Sequence, residues 1–267
     1  TPMILLVLYA TFLAKAYKDG FASAIPEGFA VDEALLNGTV GAQLVSSLLA
    51  VCCVTVAFCS NLLMVQDKIS GARRDLAVTP VKSSTLAIGY FLSSAAATLI
   101  ISLTALAVCL GYLSFVGWYM TAADVFLIIL DVILLVLFGT ALSSLINFSL
   151  TTNGQGSAVG TIVSAGYGFI CGAYMPISNF GEGLQKVLSF LPGTYGTSLL
   201  RNHAMRGVYA EMSDAGFPAE VVEGIRDSID CNLYFFGNKV ELGTMYLILG
   251  GSIIILIAAY VLLNMIK

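Results

Sequence analysis

The apolar residues of this chain come in long unbroken runs, and that property decides what it can fold into. Runs at 40–65, 85–113, 122–150, 157–175 and 242–266 each have the roughly 20 residues that an α-helix needs to cross a bilayer. A further run at 2–17 is shorter, and the sequence is expected to begin inside that first span, with a piece of chain upstream of it. The strict apolar–polar alternation of a membrane β-barrel is not the pattern here. Only 10% of residues are charged, against about 25% in soluble domains, so a water-soluble core has no way to absorb the apolar excess. The predicted fold is an all-α membrane protein, a polytopic bundle of six transmembrane helices forming one domain over 1–267.

Between the second and third runs lies a charged island, 66–82. It holds Lys68, Arg73, Arg74 and Lys82, four of the chain's twelve Lys and Arg. Positive charge in short loops marks the cytoplasmic side. The island is therefore predicted inside, together with both chain termini, and the turn at 111–121 and the segment 176–241 outside. Tyr112, Trp118 and Tyr119 then fall at the outer interface, as an aromatic belt would. Residues Asp67 to Leu76 read as one short helix, ended by Thr79-Pro80, with Ser83 or Ser84 capping the next span. Such an element is able to carry force from a soluble partner into the two spans it joins. The plain alternative is an inner loop anchored by its Lys and Arg.

The segment 176–241 carries several basic residues, but long loops cross membranes largely regardless of charge. It also carries Glu211, Asp214, Glu220, Glu223, Asp227 and Asp230. Phe180, Leu184, Val187, Leu188 and Leu191 recur at helical spacing, Pro192-Gly193 reads as a break, and helices are expected over 195–208 and 218–229. They are predicted to cap or re-enter the outer leaflet.

Small and hydroxylated residues form stripes inside the spans: Gly89, Ser93 and Ala97; Ser94, Thr98 and Ser102; Gly139, Ser143 and Asn147. Residues of this kind let helices approach closely and bond across one another; the other reading is the wall of a transport path, with Ser94, Thr98, Ser143, Asn147 and Asp131 as its candidates. Asp124 and Asp131 share one helical face two turns apart. Asp124 is expected at the interface, but Asp131 within the hydrocarbon, where a carboxylate is costly unless partnered. It is either a substrate- or proton-responsive acid or a hydrogen-bonded structural one.

Other functions lack their signatures. Gly154-Gln155-Gly156-Ser157 is glycine-rich but has no lysine to reach a phosphate, and neither HExxH nor GxSxG occurs. Five of the six cysteines lie in apolar runs, as small hydrophobes do. The single histidine, His203, sits between Arg201 and Arg206 and reads as a surface or interfacial residue. No basic patch interleaved with aromatics supports nucleic-acid binding.

The island, read as a motif, resembles the loop between the second and third spans of ABC-2-type transporter permeases. The matching residues are Asp67-Lys68, Gly71, Leu76 and Val78-Thr79-Pro80-Val81, with Asp-Lys in place of the usual Glu-Arg. Gly168 to Ile177 resembles the family's glycine-rich fifth span ending in proline, and Leu191-Pro192 and Leu200-Arg201 also fit. The resemblance implies a permease of a bacterial plasma membrane that exports an amphiphilic or drug-like substrate. It implies a separate ABC ATPase subunit, a homodimer or heterodimer of permeases, and no cofactor on this chain, with ATP and Mg on the partner. Asp67, Lys68, Gly71, Arg73, Arg74, Leu76, Thr79 and Pro80 would couple to that ATPase. The rival readings are an ion-gradient-driven transporter or channel using Asp131, and a membrane sensor or scaffold.

Overall fold

The computed structural model describes residues 15, 17, 18 and 32–266; most of the run at 2–17 lies outside the described residues. Helix α1 (Glu33–Ser60) begins at Asp32, whose carboxylate accepts the Ala34 N–H at 3.3 Å, a helix N-cap. At Asn61 the backbone (φ −81°, ψ −4°) interrupts the ladder before α2 (Leu62–Ser70). Together α1 and α2 make one apolar stretch over Glu33–Ser70, longer at both ends than the run at 40–65. Gly71 then takes a left-handed turn (φ +88°) before α3 (Ala72–Ala77). Asp67 to Leu76 is therefore not one helix. Gly71 adopts this backbone at no steric cost, and it leaves Asp67 and Lys68 in the last turn of α2. Ser83 is the first residue of α4 (Ser83–Val116), and no side chain caps it.

Helix α5 (Ala122–Phe148) starts with a reciprocal cap between Thr121 and Asp124. Helix α6 (Asn153–Ile170) is followed by a 3₁₀ turn at Ile177–Asn179, α7 (Glu182–Leu188), α8 (Pro192–Asp214) and α9 (Ala219–Ser228). Strands β1 (Tyr234–Phe235) and β2 (Asn238–Lys239) pair antiparallel across a two-residue turn with positive φ at Phe236 and Gly237, the twist such hairpins favour. The last helix, α10, is Leu242–Ile266. Among the described residues four stretches are long and apolar enough to cross a membrane: α1–α2, α4, α5 and α10. The helical membrane class stands; α6, which begins and ends earlier than the expected fifth span, is not one of the four.

Helix α1 is the axis of the bundle and packs against α4, α5, α6 and α8. Lipid offers no hydrophobic drive for this, so close contact and hydrogen bonds must supply it. Small side chains allow the contact: a Cβ on Gly139 of α5 would stand 2.9 Å from the Val54 Cα of α1. The expected break is there, α7 ending at Leu188, and α8 is longer than expected, with Pro192 as its first residue, a position that suits proline. It lies against α1, α5 and α10. At Gly207 a Cβ would stand 1.7 Å from the Tyr119 carbonyl oxygen, so α8 is pressed onto the 117–121 turn, at the end of the bundle opposite the 71–82 loop.

A buried arginine clasps the 176–241 segment to this bundle. Arg201 is 1% exposed and donates to the carbonyls of Ile229 and Gly172 and to the Ser47 hydroxyl of α1. Asp230 lies 3.8 Å from it and accepts the N–H groups of Ile177 and Ser178.

Candidate functional site at the 66–82 loop and inside the bundle

The charged loop divides into an inward and an outward half. Asp67 accepts the Tyr90 hydroxyl at 2.7 Å, tying α2 to α4. The Lys68 ammonium donates to the carbonyls of Asn147, Phe148 and Leu150, at 3.1, 2.5 and 3.2 Å. They lie at and just past the C-terminus of α5, where helix carbonyls run out of intrahelical partners and positive charge is favoured by the helix dipole. Arg73 donates to the Asn264 side chain of α10 at 2.8 Å, and both cations lie over the Phe148 ring. Three of the eight expected coupling residues thus bind the loop to α4, α5 and α10.

The outward half is Arg74, Leu76, Thr79 and Pro80, all exposed. Between them Val78 is 84% exposed and Val81 about half exposed. The result is a compact surface, apolar with a basic edge, carried on a frame that three spanning helices hold.

The candidate path residues lie elsewhere. Ser94, Thr98, Ser143 and Asn147 are all buried between helices. Their hub is Asn61, at the α1–α2 break, which the sequence reading passed over. Its amide donates to Ser143 at 3.0 Å and Ser144 at 2.7 Å, and its oxygen accepts from Ser94 at 3.3 Å. Thr98 bonds back to the Ser94 carbonyl. Among the described residues the side-chain amide of Asn147 is buried without a hydrogen-bond partner, beside the carbonyls that Lys68 bonds.

Asp131 is 0% exposed and stands in a third cluster. One oxygen accepts the Tyr246 hydroxyl of α10 at 2.7 Å; the other meets His203 Nδ1 of α8 at 2.6 Å. His203 is only 6% exposed, so the expected surface histidine is instead a buried partner. Helix α8 packs along α5, which turns His203 inward between its two arginines. Asp124, in the first turn of α5, is buried by protein as well: it caps the helix and faces Arg206 at 3.4 Å. Among the described residues no group of three or more His, Cys, Asp and Glu side chains is placed to hold a metal ion.

A family model described as ABC-2 family transporter protein matches residues 28–266, from before α1 to the end of α10. The chain belongs to this family. No curated protein matches it. ABC-2 permeases are membrane transport components, not themselves catalytic, and the family normally works with an ABC ATPase subunit. The family and the four apolar stretches make this chain a multi-pass membrane protein.

Proposed function

We propose that this permease moves an amphiphilic or drug-like substrate out of the cytoplasm or inner leaflet of a bacterial plasma membrane, and that the 66–82 loop is where its ATPase docks. The observation that carries the second part is the division of the loop. Lys68 and Arg73 fasten it to the ends of α5 and α10, while Arg74, Leu76, Thr79 and Pro80 face outward. A push on that outward surface reaches α4, α5 and α10 with little slack. The loop then lies inside, both termini are cytoplasmic, and 176–241 lies outside or re-enters the outer leaflet. ATP and Mg belong to the partner subunit.

Transport in this reading needs two permeases, identical or related. The buried polar groups of Ser94, Thr98, Ser143 and Asn147 become part of a path only when α4 and α5 part from α1. The surface of α4 that already faces out of the single copy carries Gly89, Ser93, Ala97 and Thr104, and that of α6 carries Ser157, Thr161 and Ser164. Hydroxyls on an otherwise apolar face suit an amphiphile passing between two copies.

The test is co-purification of the tagged chain with its ATPase. Arg74→Glu should abolish the association while leaving the permease folded. If the ATPase stays bound to Arg74→Glu and to a Val78→Glu variant, docking lies elsewhere.

A further inference from the structure

Helix α7 is amphipathic in the reverse of the sense that water imposes. Leu184 and Val187 point out of the chain and are exposed. Glu182, Gln185 and Lys186, with Ser189 just beyond, share the opposite face and line a cleft of about 510 Å³. Across that cleft stands the β1–β2 hairpin, which contributes Tyr234 and Phe236. Beside it Phe190, 62% exposed, meets the rings of Phe235 and Phe236 edge to face, with centroids 5.2 and 5.9 Å away. Those two rings meet each other at 4.9 Å, and Phe236 is itself 57% exposed. A contiguous apolar surface of this kind marks a contact with a protein or a membrane.

The level of the surface decides between them. Helix α8 starts two residues after Phe190. Its Gly207 lies on the Tyr119 carbonyl, at the end of the bundle opposite the 71–82 loop, and its Gly196 packs on Leu135, midway along α5. From Gly207 back to Pro192 is about 22 Å of helix. Leu191 and Pro192 line an apolar groove together with Ile170 of α6 and with Ile255 and Leu256, midway along α10. Phe190 therefore stands well down the side of two spanning helices, where hydrocarbon surrounds the bundle and a water-soluble partner has no access. The hairpin reaches the same level from above: its base is tied to α9 by Lys239 and Glu223, α10 begins at Leu242, and its tip meets Phe190.

The polar side of α7 has the chemistry of a headgroup site. Glu182 and Lys186 are of opposite sign and one turn apart, and neither enters an ion pair among the described residues. Tyr234, held by its hydroxyl to Asp227, brings an aromatic ring to the cleft. An ammonium donates well to a phosphate, and a carboxylate beside aromatic faces suits a headgroup amine. The long Lys186 stem can lie along apolar surface while its charge reaches the headgroups.

We infer that α7 and the hairpin form a binding surface for a zwitterionic phospholipid, in the leaflet at the end opposite the 71–82 loop. The acyl chains lie on Leu184, Val187, Phe190 and Phe236. The headgroup enters the cleft, its phosphate on Lys186 and its amine between Glu182 and the Tyr234 ring. The inference goes beyond the proposed function: it rests on the chain's spanning the membrane and holds whatever powers or crosses it.

The experiment uses the full chain with a single reporter. Trp118→Phe removes the one tryptophan, and Phe236→Trp then places one at the hairpin tip. In phosphatidylcholine vesicles, lipid brominated on its acyl chains should quench most of the emission, and acrylamide in the water little of it. Val187→Trp in the same background should respond alike, and it reports even if the hairpin variant does not fold. Quenching by acrylamide overturns the inference, as does quenching by neither agent, the sign of a second copy covering the patch. The headgroup is read in neutral detergent. Short-chain phosphatidylcholine should shift the Phe236→Trp emission to the blue and saturate, with affinity about tenfold weaker in Lys186→Glu, the scale of one lost charged hydrogen bond. No saturation, equal affinity in Lys186→Glu, or an equal response to phosphocholine alone overturns the site. These readouts need neither ATPase nor export, so their failure leaves the exporter reading standing, and the reverse.

Discussion

Replacing Lys68 by methionine tests whether the inward half of the charged loop is structural. Methionine keeps the length of the stem and its contact with Phe148, but removes the ammonium shared by two α5 carbonyls and that of Leu150 just beyond. A hydrogen bond to a charged group is worth about 1.5–3 kcal/mol, and a cation at a helix C-terminus up to about 2 kcal/mol. These overlap and do not add. Lys68 is half-buried, so water takes over part of the lost bonding, and the net cost should be about 2–3 kcal/mol. At roughly 2–4 °C per kcal/mol for a chain of this size, the melting temperature should drop by about 5–10 °C. The chain has one tryptophan, Trp118, whose emission follows unfolding in detergent. Lys68→Arg, which keeps the charge, should recover most of the loss. A Lys68→Met melting temperature within about 1 °C of wild type would refute the reasoning, because the ammonium would then add nothing to the frame.

Other outcomes follow from the same geometry. Arg74→Glu should change the melting temperature by less than about 2 °C, since exposed surface substitutions stay within about 0.5 kcal/mol; the same melt measures it. Asn61→Leu removes three interhelical bonds, each worth about 0.6 kcal/mol in membrane proteins, and should cost about 2 kcal/mol in a denaturation titration in mixed micelles. Gly139→Leu places a branched side chain where a Cβ alone meets the α1 backbone at 2.9 Å, and should prevent assembly of α1 with α5, seen as loss of the monodisperse peak on size exclusion. Outside the spans, the Lys239 ammonium beside Glu223 holds its carboxyl below the usual carboxylate range. The tie between α9 and the hairpin should therefore persist at neutral pH and be lost as pH falls below about 4, the ordinary glutamate region, which protection of residues 234–239 would report.

Four of the expected spans were legible because a bilayer demands length and apolarity, which single residues report without knowledge of their neighbours. The last span, Leu242–Ile266, was readable to its ends for that reason. The 176–241 segment was less so, because α8 is not apolar along its length and its burial comes from contacts with α1, α5 and α10 that spacing does not reveal. His203 illustrates the difference. Flanked by Arg201 and Arg206 in sequence it looked superficial, yet each of the three points to its own partner: Asp230 and carbonyls, Asp131, and Asp124. One signal was available: a lone intramembrane acid calls for a partner, and the chain has a single histidine. The charged loop was readable as an island but not as two halves. Gly71 sets the turn that sends Lys68 and Arg73 inward and leaves Arg74 and Leu76 outward. Asn61 gave no warning, since one asparagine near the end of an apolar run looks like its boundary.

The central claim is that this chain is the membrane half of an ATP-driven exporter, engaged through the outward face of residues 74–80. Its most direct test is transport in proteoliposomes holding the permease and its ATPase, with a fluorescent lipid analogue and a hydrophobic dye as probes. Movement of a probe should require ATP and the ATPase, and Arg74→Glu should abolish it while an imposed proton gradient alone drives nothing. Movement that proceeds without ATP, driven by the proton gradient and lost in Asp131→Asn, would contradict the claim and favour a gradient-driven transporter.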